Sequence, residues 1–317
     1  MTVPARANTG SRRVWAVIGA TGTGKSDLAV RLAEHLRSTG NPAQIVNSDA
    51  MQFYRGMDIG TAKLSMRERR GIPHHLFDVR DVSEEAAVAW YQPLARTTID
   101  KIHQSGGDAI VVGGSGLYVS SAIYNFRFPP RDAAARAHWE QQLAECGPGV
   151  LYAELQKQDP ATAERIDPRN VRRLIRALEV LAQGQKTHGA ALPQHPEPWY
   201  PMTTIIGLHV ERAELVQRLD ERVRRIWRDG IVEETARLRT LGLEQGVTAS
   251  RAIGYAQALA QLDGHMTQDE AITLTQTLTR RYARRQVSWF RRYPGIRWHE
   301  PTVAPETLVS EAADEAS

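Results

Sequence analysis

The chain has 317 residues, a formal net charge of +4 and a single cysteine, Cys146, enough for one large or two modest domains with a sizeable core. One cysteine excludes an internal disulfide and a cysteine-cluster metal site. No apolar run approaches the roughly 18 residues that span a bilayer, and residues 1–13 lack the apolar stretch of a secretory signal, so the cytoplasm is the expected compartment.

Taken in chain order, residues 14–18 (Val-Trp-Ala-Val-Ile) read as a buried strand, and residues 26–37 as a helix with Leu28, Leu32 and Leu36 on one face. Between them lies Gly19-Ala20-Thr21-Gly22-Thr23-Gly24-Lys25-Ser26, which fits G-x-x-x-x-G-K-[ST]. A second strand, 44–47, runs into Asn47-Ser48-Asp49. A helical pattern over 84–103 contains Pro93, which predicts a kink or a split into two helices. A third strand, 109–112, runs into Gly113-Gly114-Ser115-Gly116. From 132 to 183 the periodicity is helical only, at 138–145, 151–158 and 169–181. A connector with Pro193, Pro196, Pro198 and Pro201 follows, then a strand at 203–210 and helical patterns over 211–292. This order predicts an α/β fold: a P-loop NTPase-like parallel sheet with flanking helices and an all-helical insertion domain. The expected divisions are a core in two parts, 13–131 and 201–299, an insertion with its connector at 132–200, and an acidic tail at 300–317.

The glycine-rich loop is built for phosphate. Its glycines let N–H groups turn inward, the helix N-terminus and Lys25 add positive charge, and the Ser26 hydroxyl can ligate Mg²⁺. The motif alone is of the ATP-binding kind. A nucleotide hydrolase also needs an acidic residue at a strand end, yet strand 109–112 ends in glycines, and the carboxylate, Asp49, follows the second strand instead. Ligands in open α/β sheets bind beyond the carboxyl ends of strands, so the phosphate loop, Asp49 and residues 113–116 converge on one place. That set describes a transfer site better than a hydrolysis motor. Taken singly, Asp49 also reads as a helix N-cap and Gly-Gly-Ser-Gly as an ordinary turn. Late in the chain Arg280, Arg281, Arg284, Arg285, Arg291, Arg292 and Arg297 alternate with Tyr282, Trp289, Phe290, Tyr293 and Trp298. Two readings stand for this segment: a surface for unstacked nucleic acid, or an amphipathic helix with a solvated arginine face.

Residues 47–63 (Asn-Ser-Asp-Ala-Met-Gln-Phe-Tyr-Arg-Gly-Met-Asp-Ile-Gly-Thr-Ala-Lys) resemble the signature of the tRNA dimethylallyltransferase family, tRNA isopentenyltransferases of bacterial type. So do 73–79, 112–118, 172–180 and 285–289, in the family's order, over a span from about 14 to 298. The resemblance implies transfer of a dimethylallyl group from dimethylallyl diphosphate to N6 of adenosine 37, in tRNAs reading codons that begin with U, with release of pyrophosphate. It implies Asp49, Ser115 and Arg222 as catalytic residues. Gly19, Ala20, Thr21, Gly22, Thr23, Gly24, Lys25 and Ser26 would bind the diphosphate, with Mg²⁺ on Ser26. The implied tRNA contacts are Asp49, Ala50, Met51, Gln52, Ser115, Arg136, Arg172, Arg173, Arg176, Arg251, Gly254, Tyr255, Arg284, Arg285, Gln286 and Trp289, with Ala256 standing where some members carry Arg. The insertion would clamp the anticodon stem, and the target adenine would be flipped out of its stack to reach Asp49. The expected partners are tRNA, through its anticodon stem-loop, and dimethylallyl diphosphate; no membrane is expected, and the chain is expected to act as a monomer. The rival classes are a P-loop small-molecule kinase, a non-catalytic RNA-binding protein with a relic phosphate loop, and an enzyme prenylating free adenine nucleotides. The glycine end of strand 109–112 disfavours the first, intact Lys25, Ser26 and Asp49 the second, and the arginine-rich helices the third.

Overall fold

Among the described residues six strands lie side by side: β1 (Val14–Gly19), β2 (Ala43–Asn47), β3 (His74–His75), β4 (Asp108–Gly113), β5 (Thr203–Leu208) and β6 (Arg297–His299). Their order is β3-β2-β4-β1-β5-β6, and every pairing is parallel. This computed structural model describes residues 12–184, 195–293 and 295–314. Pro193 of the expected connector and the start of the chain lie outside the described residues.

β1 and β4 are buried at every position, as their unbroken apolar runs require of strands covered on both faces. β3 and β6 were not foreseen: runs of two and three residues at the sheet's edges carry no readable alternation. β5 ends at Leu208, two residues short of the expected boundary.

Helix α1 (Lys25–Ser38) buries Leu28, Leu32 and Leu36 on one stripe. α2 (Val88–Gln104) is one helix with Pro93 inside it, not two. It begins four residues later than the periodicity suggests, because the Glu84 carboxylate accepts from Asp81 N at 2.8 Å and so fastens a turn there. α3 (Gly116–Ile123) follows β4 directly.

The chain divides into two compact units, Met1–Asn125 with Glu197–Ser317, and Phe126–Pro196. The second unit holds α4 (Ala133–Cys146), α5 (Pro148–Gln158), the single turn α6 (Pro160–Ala163) and α7 (Val171–Ala182). Leu151, Leu155, Ile166, Leu174, Ile175 and Leu178 form its own core, with Trp139 and Leu143 of α4 packed against it.

Back in the first unit come α8 (Arg212–Arg228), α9 (Ile231–Thr240), α10 (Tyr255–Leu262), α11 (Gln268–Phe290) and α12 (Pro305–Asp314). α12 corrects the expected acidic tail. Leu308 and Ala312, one turn apart, enter the core shared by β1, β2 and α1, with Val303 and Val309 packed beside them. Arg31 of α1 donates to the carbonyls of Pro301 at 2.7 Å and Val303 at 3.0 Å. Of its acidic residues, Glu306 and Asp314 are exposed, while Glu311 pairs with Arg297 of β6 at 3.2 Å.

Candidate active site

The loop between β1 and α1 turns through Gly22 and Gly24, at φ of +83° and +82°, torsions that L side chains adopt only with strain. The Thr23 hydroxyl closes the turn on Ala20 O at 2.8 Å. The first N–H groups of α1 have no intrahelical partner by construction, and they open onto the same space as the glycines. Lys25 Nζ rests on Ala20 O at 2.7 Å. Burial, together with nearby Arg222 and against the pull of Asp49, brings its pKa down to about 8.

Asp49 stands at the end of β2 and caps a short 3-10 turn, its Oδ1 accepting from Met51 N at 3.0 Å. The expectation of a cap and that of a functional carboxylate both describe this residue, since Oδ2 is left over. Asn47 holds the strand end: its Oδ1 accepts from Asp49 N at 2.9 Å, and its backbone carbonyl accepts from the buried Tyr91 hydroxyl at 3.0 Å. Phe53, stacked on Tyr91 at 5.1 Å, anchors the turn from below.

In the loop after β4, a Cβ on Gly113 would lie 2.5 Å from Ser48 O, on Gly114 2.3 Å from Gln286 Nε2, and on Gly116 2.3 Å from the Trp289 ring. Glycine is there because neighbours press in, and this draws Ser115 to Asp49: the Ser115 hydroxyl accepts from Ala50 N at 3.3 Å.

Arg222 on α8 completes the group. Its Nη2 donates to Thr61 O at 3.1 Å, and Gln52 Nε2 donates to the same carbonyl at 3.2 Å. Burial depresses the Arg222 pKa, with Asp49 opposing and Arg225 adding to the effect. The loop carrying Thr61 is pinned by Glu234, a buried carboxylate of α9 that accepts from Ile59 N, Gly60 N and the Tyr255 hydroxyl, the last at 2.5 Å.

A cleft of about 470 Å³ unites Gly22, Gly24, Lys25, Ser26, Asp49, Gln52, Thr61 and Arg222. The sequence suggested a lone carboxylate; Asp27, Glu68 and Glu221 also line the cleft. Asp27 is bound by Arg31 and Arg70 and Glu221 by Arg228, while Glu68 accepts from Ser65 through Oε2. Asp49 differs from these three in its place at a strand end, with Oδ2 left over from its cap.

Two residues expected to contact tRNA make bracing bonds inside the protein. Tyr255 is 0% exposed, its ring against Gly60 and its hydroxyl on Glu234, so it braces the Thr61 loop. Gln286 is 4% exposed. Its Oε1 accepts from Thr21 N and its Nε2 donates to Gly114 O, both at 2.8 Å, which joins the phosphate loop to the Ser115 loop. Gly254 is buried too, its N–H donating to Gln257 at 2.8 Å. Trp289 packs on Gly116 and donates to the Ser120 hydroxyl at 3.2 Å.

The late basic segment is an amphipathic helix. Phe290 and Tyr293 are buried, Arg280 is bound by Asp220, and Arg281, Arg284, Arg285, Arg291 and Arg292 are exposed. Arg251 is exposed as well. Within the second unit, Arg172 and Arg173 are exposed, whereas Arg136 and Arg176 both reach the fully buried Glu179, at 3.8 and 2.6 Å. Glu234, Thr61 and Tyr282 were missed as site-forming residues. Thr61 was visible within the 58–63 block and Tyr282 among the late aromatics, but a buried glutamate on a helix carries no sequence signal.

A family model described as IPP transferase matches residues 52–293. A tRNA dimethylallyltransferase of Clavibacter sepedonicus is 54% identical over 279 residues, 88% of this chain and 90% of its own length. Among solved structures, the full-length tRNA isopentenylpyrophosphate transferase of Bacillus halodurans superposes with a TM-score of 0.68 at 35% identity, over 96% of both chains. A eukaryotic dimethylallyltransferase acting on tRNA does so with a TM-score of 0.78 at 28% identity, over 96% of this chain and 78% of that one.

Proposed function

The chain belongs to the IPP transferase family, that of the tRNA dimethylallyltransferases, and from that premise we propose that it moves a dimethylallyl group from dimethylallyl diphosphate to N6 of adenosine 37. The acceptors are tRNAs that read codons beginning with U. The observation that carries this reading is the meeting of Lys25, Arg222 and the strand-end carboxylate Asp49 in one cleft: cations for a leaving diphosphate, and a base for an entering amine.

The adenine amino group is a poor nucleophile, because its lone pair is delocalised into the ring. Asp49 accepts its N–H, frees the lone pair and takes the proton as the new N–C bond forms. The C–O bond to the diphosphate breaks with both electrons going to oxygen. Lys25, Arg222 and the N–H groups of the phosphate loop meet that charge already oriented. Gln52 and Arg222 share the Thr61 carbonyl, so the two sides of the site hold a common anchor.

Mg²⁺ binds through a few protein oxygens together with phosphate oxygens and water, and Ser26, in the cleft at the head of α1, fits such a site. Among the described residues no three His, Cys, Asp or Glu side chains form a cage, and an ion shared with a diphosphate needs none. When bound it neutralises the departing pyrophosphate.

Exposed Arg172 and Arg173 in one unit, and Arg251, Arg284 and Arg285 in the other, supply phosphate contacts to the anticodon stem-loop, and the target base flips out of its stack to reach Asp49. The protein works as a monomer in the cytoplasm. No helix among the described residues is long and apolar enough to cross a membrane.

Mass spectrometry of nucleosides from tRNA incubated with the protein, dimethylallyl diphosphate and Mg²⁺ tests the reading. N6-(dimethylallyl)adenosine at position 37 and an equal yield of pyrophosphate are expected, without ATP. Transfer to free adenine nucleotides but not to tRNA, or stoichiometric ADP release, rejects it.

A further inference from the structure

α11 presents one face to the loop that carries Ser115. Tyr282, Gln286 and Trp289, at i, i+4 and i+7, meet it in turn. The Tyr282 hydroxyl lies 3.4 Å from Ser115 Oγ, Gln286 Nε2 lies 2.8 Å from Gly114 O, and the Trp289 ring occupies the space a Cβ on Gly116 would need. Gln286 and Trp289 hold the backbone on either side of Ser115, so the placement of Tyr282 over its hydroxyl is fixed by the helix.

A serine hydroxyl has one proton to give and two lone pairs to fill. Ala50 N–H fills one lone pair of Ser115. The Tyr282 hydroxyl, 3.4 Å away, can give its proton to the second lone pair or take the proton of Ser115. When Tyr282 gives its proton, both lone pairs are taken and the proton of Ser115 is left for a substrate.

We propose that Tyr282 is a positioning residue for the transfer: it donates to Ser115 and thereby commits the Ser115 hydroxyl to donate to a ring nitrogen of the acceptor purine. That bond would hold the purine edge so that N6 faces Asp49. The inference rests on the reading of the preceding section and adds a residue and a polarity to it.

A double-mutant cycle read by single-turnover transfer tests it, because a residue acting through Ser115 must be silent when the Ser115 hydroxyl is gone. Tyr282→Phe, which removes one oxygen and keeps the ring, should slow transfer about 3- to 10-fold, the size of one hydrogen bond. Pyrophosphate and tRNA dissociation constants should stay within about twofold. In a Ser115→Ala background Tyr282→Phe should change nothing, and in a Ser115→Thr background, which keeps the hydroxyl, it should again cost the wild-type factor. A wild-type rate for Tyr282→Phe, or the same loss in the Ser115→Ala background, overturns the proposal while leaving the transferase reading intact. Failure of the wild-type protein to transfer at all overturns both.

Discussion

The loops after β1 and β4 are both rich in glycine, for opposite reasons. Gly22 and Gly24 sit at positive φ, which lets the chain turn so that N–H groups face a phosphate; at Gly24 the need is torsional alone, whereas a Cβ on Gly22 would also meet Leu219 at 2.9 Å. Gly113, Gly114 and Gly116 do not sit at positive φ. They are glycine because Ser48, Gln286 and Trp289 occupy the places where side chains would be. Gly24 is there for what its backbone can do, the glycines after β4 for what their neighbours demand. The first makes a cradle for the donor; the second draws three separate elements to the acceptor side of the same cleft.

The sharpest way to break the pairing of donor and acceptor sides is to remove the base between them. Asp49→Ala should lower single-turnover transfer about 10²–10⁴-fold, the usual loss of a general base, with tRNA affinity unchanged in a filter-binding titration. A wild-type rate would exclude the assignment.

The two kinds of glycine should separate in denaturant unfolding. A Cβ on Gly24 meets nothing nearer than Pro301 at 3.5 Å, so Gly24→Ala should cost about 1–2 kcal/mol from torsion alone, whether residue 301 is Pro or Ala. Gly114→Ala should cost about 1–3 kcal/mol from overpacking, and little once Gln286 is already Ala. Equal behaviour of the two sites would erase the distinction.

The donor side should also carry a proton signature. The folded pKa of Lys25, about 8, lies below its ordinary 10.5. Between those values the unfolded chain binds more protons, so this residue's contribution to stability rises with pH in that window. Pyrophosphate favours the charged ammonium, so binding near pH 8.5 should take up a fraction of a proton beyond that seen with Lys25→Ala. Calorimetry in buffers of different ionisation enthalpy reads it, and identical uptake in the two proteins would contradict the assigned pKa.

The smallest effect belongs to the outer face of α11. Arg284→Ala with Arg285→Ala should weaken tRNA binding and flatten its log–log salt dependence by about 0.7–0.9 per lost phosphate contact. An unchanged slope would make that face merely solvated and leave RNA binding to Arg172, Arg173 and Arg251.

The convergence of three strand ends was legible because β1, β2 and β4 are strongly apolar and each is followed by residues of unmistakable chemistry. Gln286 and Tyr255 were legible as important, but not as braces. Within a run of arginines, a buried glutamine reads as one more surface residue, and only the fold reveals that both ends of its amide are used. Glu234 was invisible because its value lies in three donors from elsewhere in the chain. α12 was hidden by composition: Glu306, Glu311 and Asp314 give it its charge, whereas Leu308 and Ala312 decide its place.

The placement of β6 and α12 bears on how the protein is made. β1 pairs with β5, nearly two hundred residues later in the chain, and the start of α1 is then clamped by Arg31 on the carbonyls of Pro301 and Val303. On the ribosome the phosphate loop emerges well before the strand and turn that brace it. Such long-range closures are slow to form. The nascent protein therefore holds the phosphate-binding sequence before it holds the braced phosphate-binding site, which waits on β5 and on the turn at Pro301 and Val303.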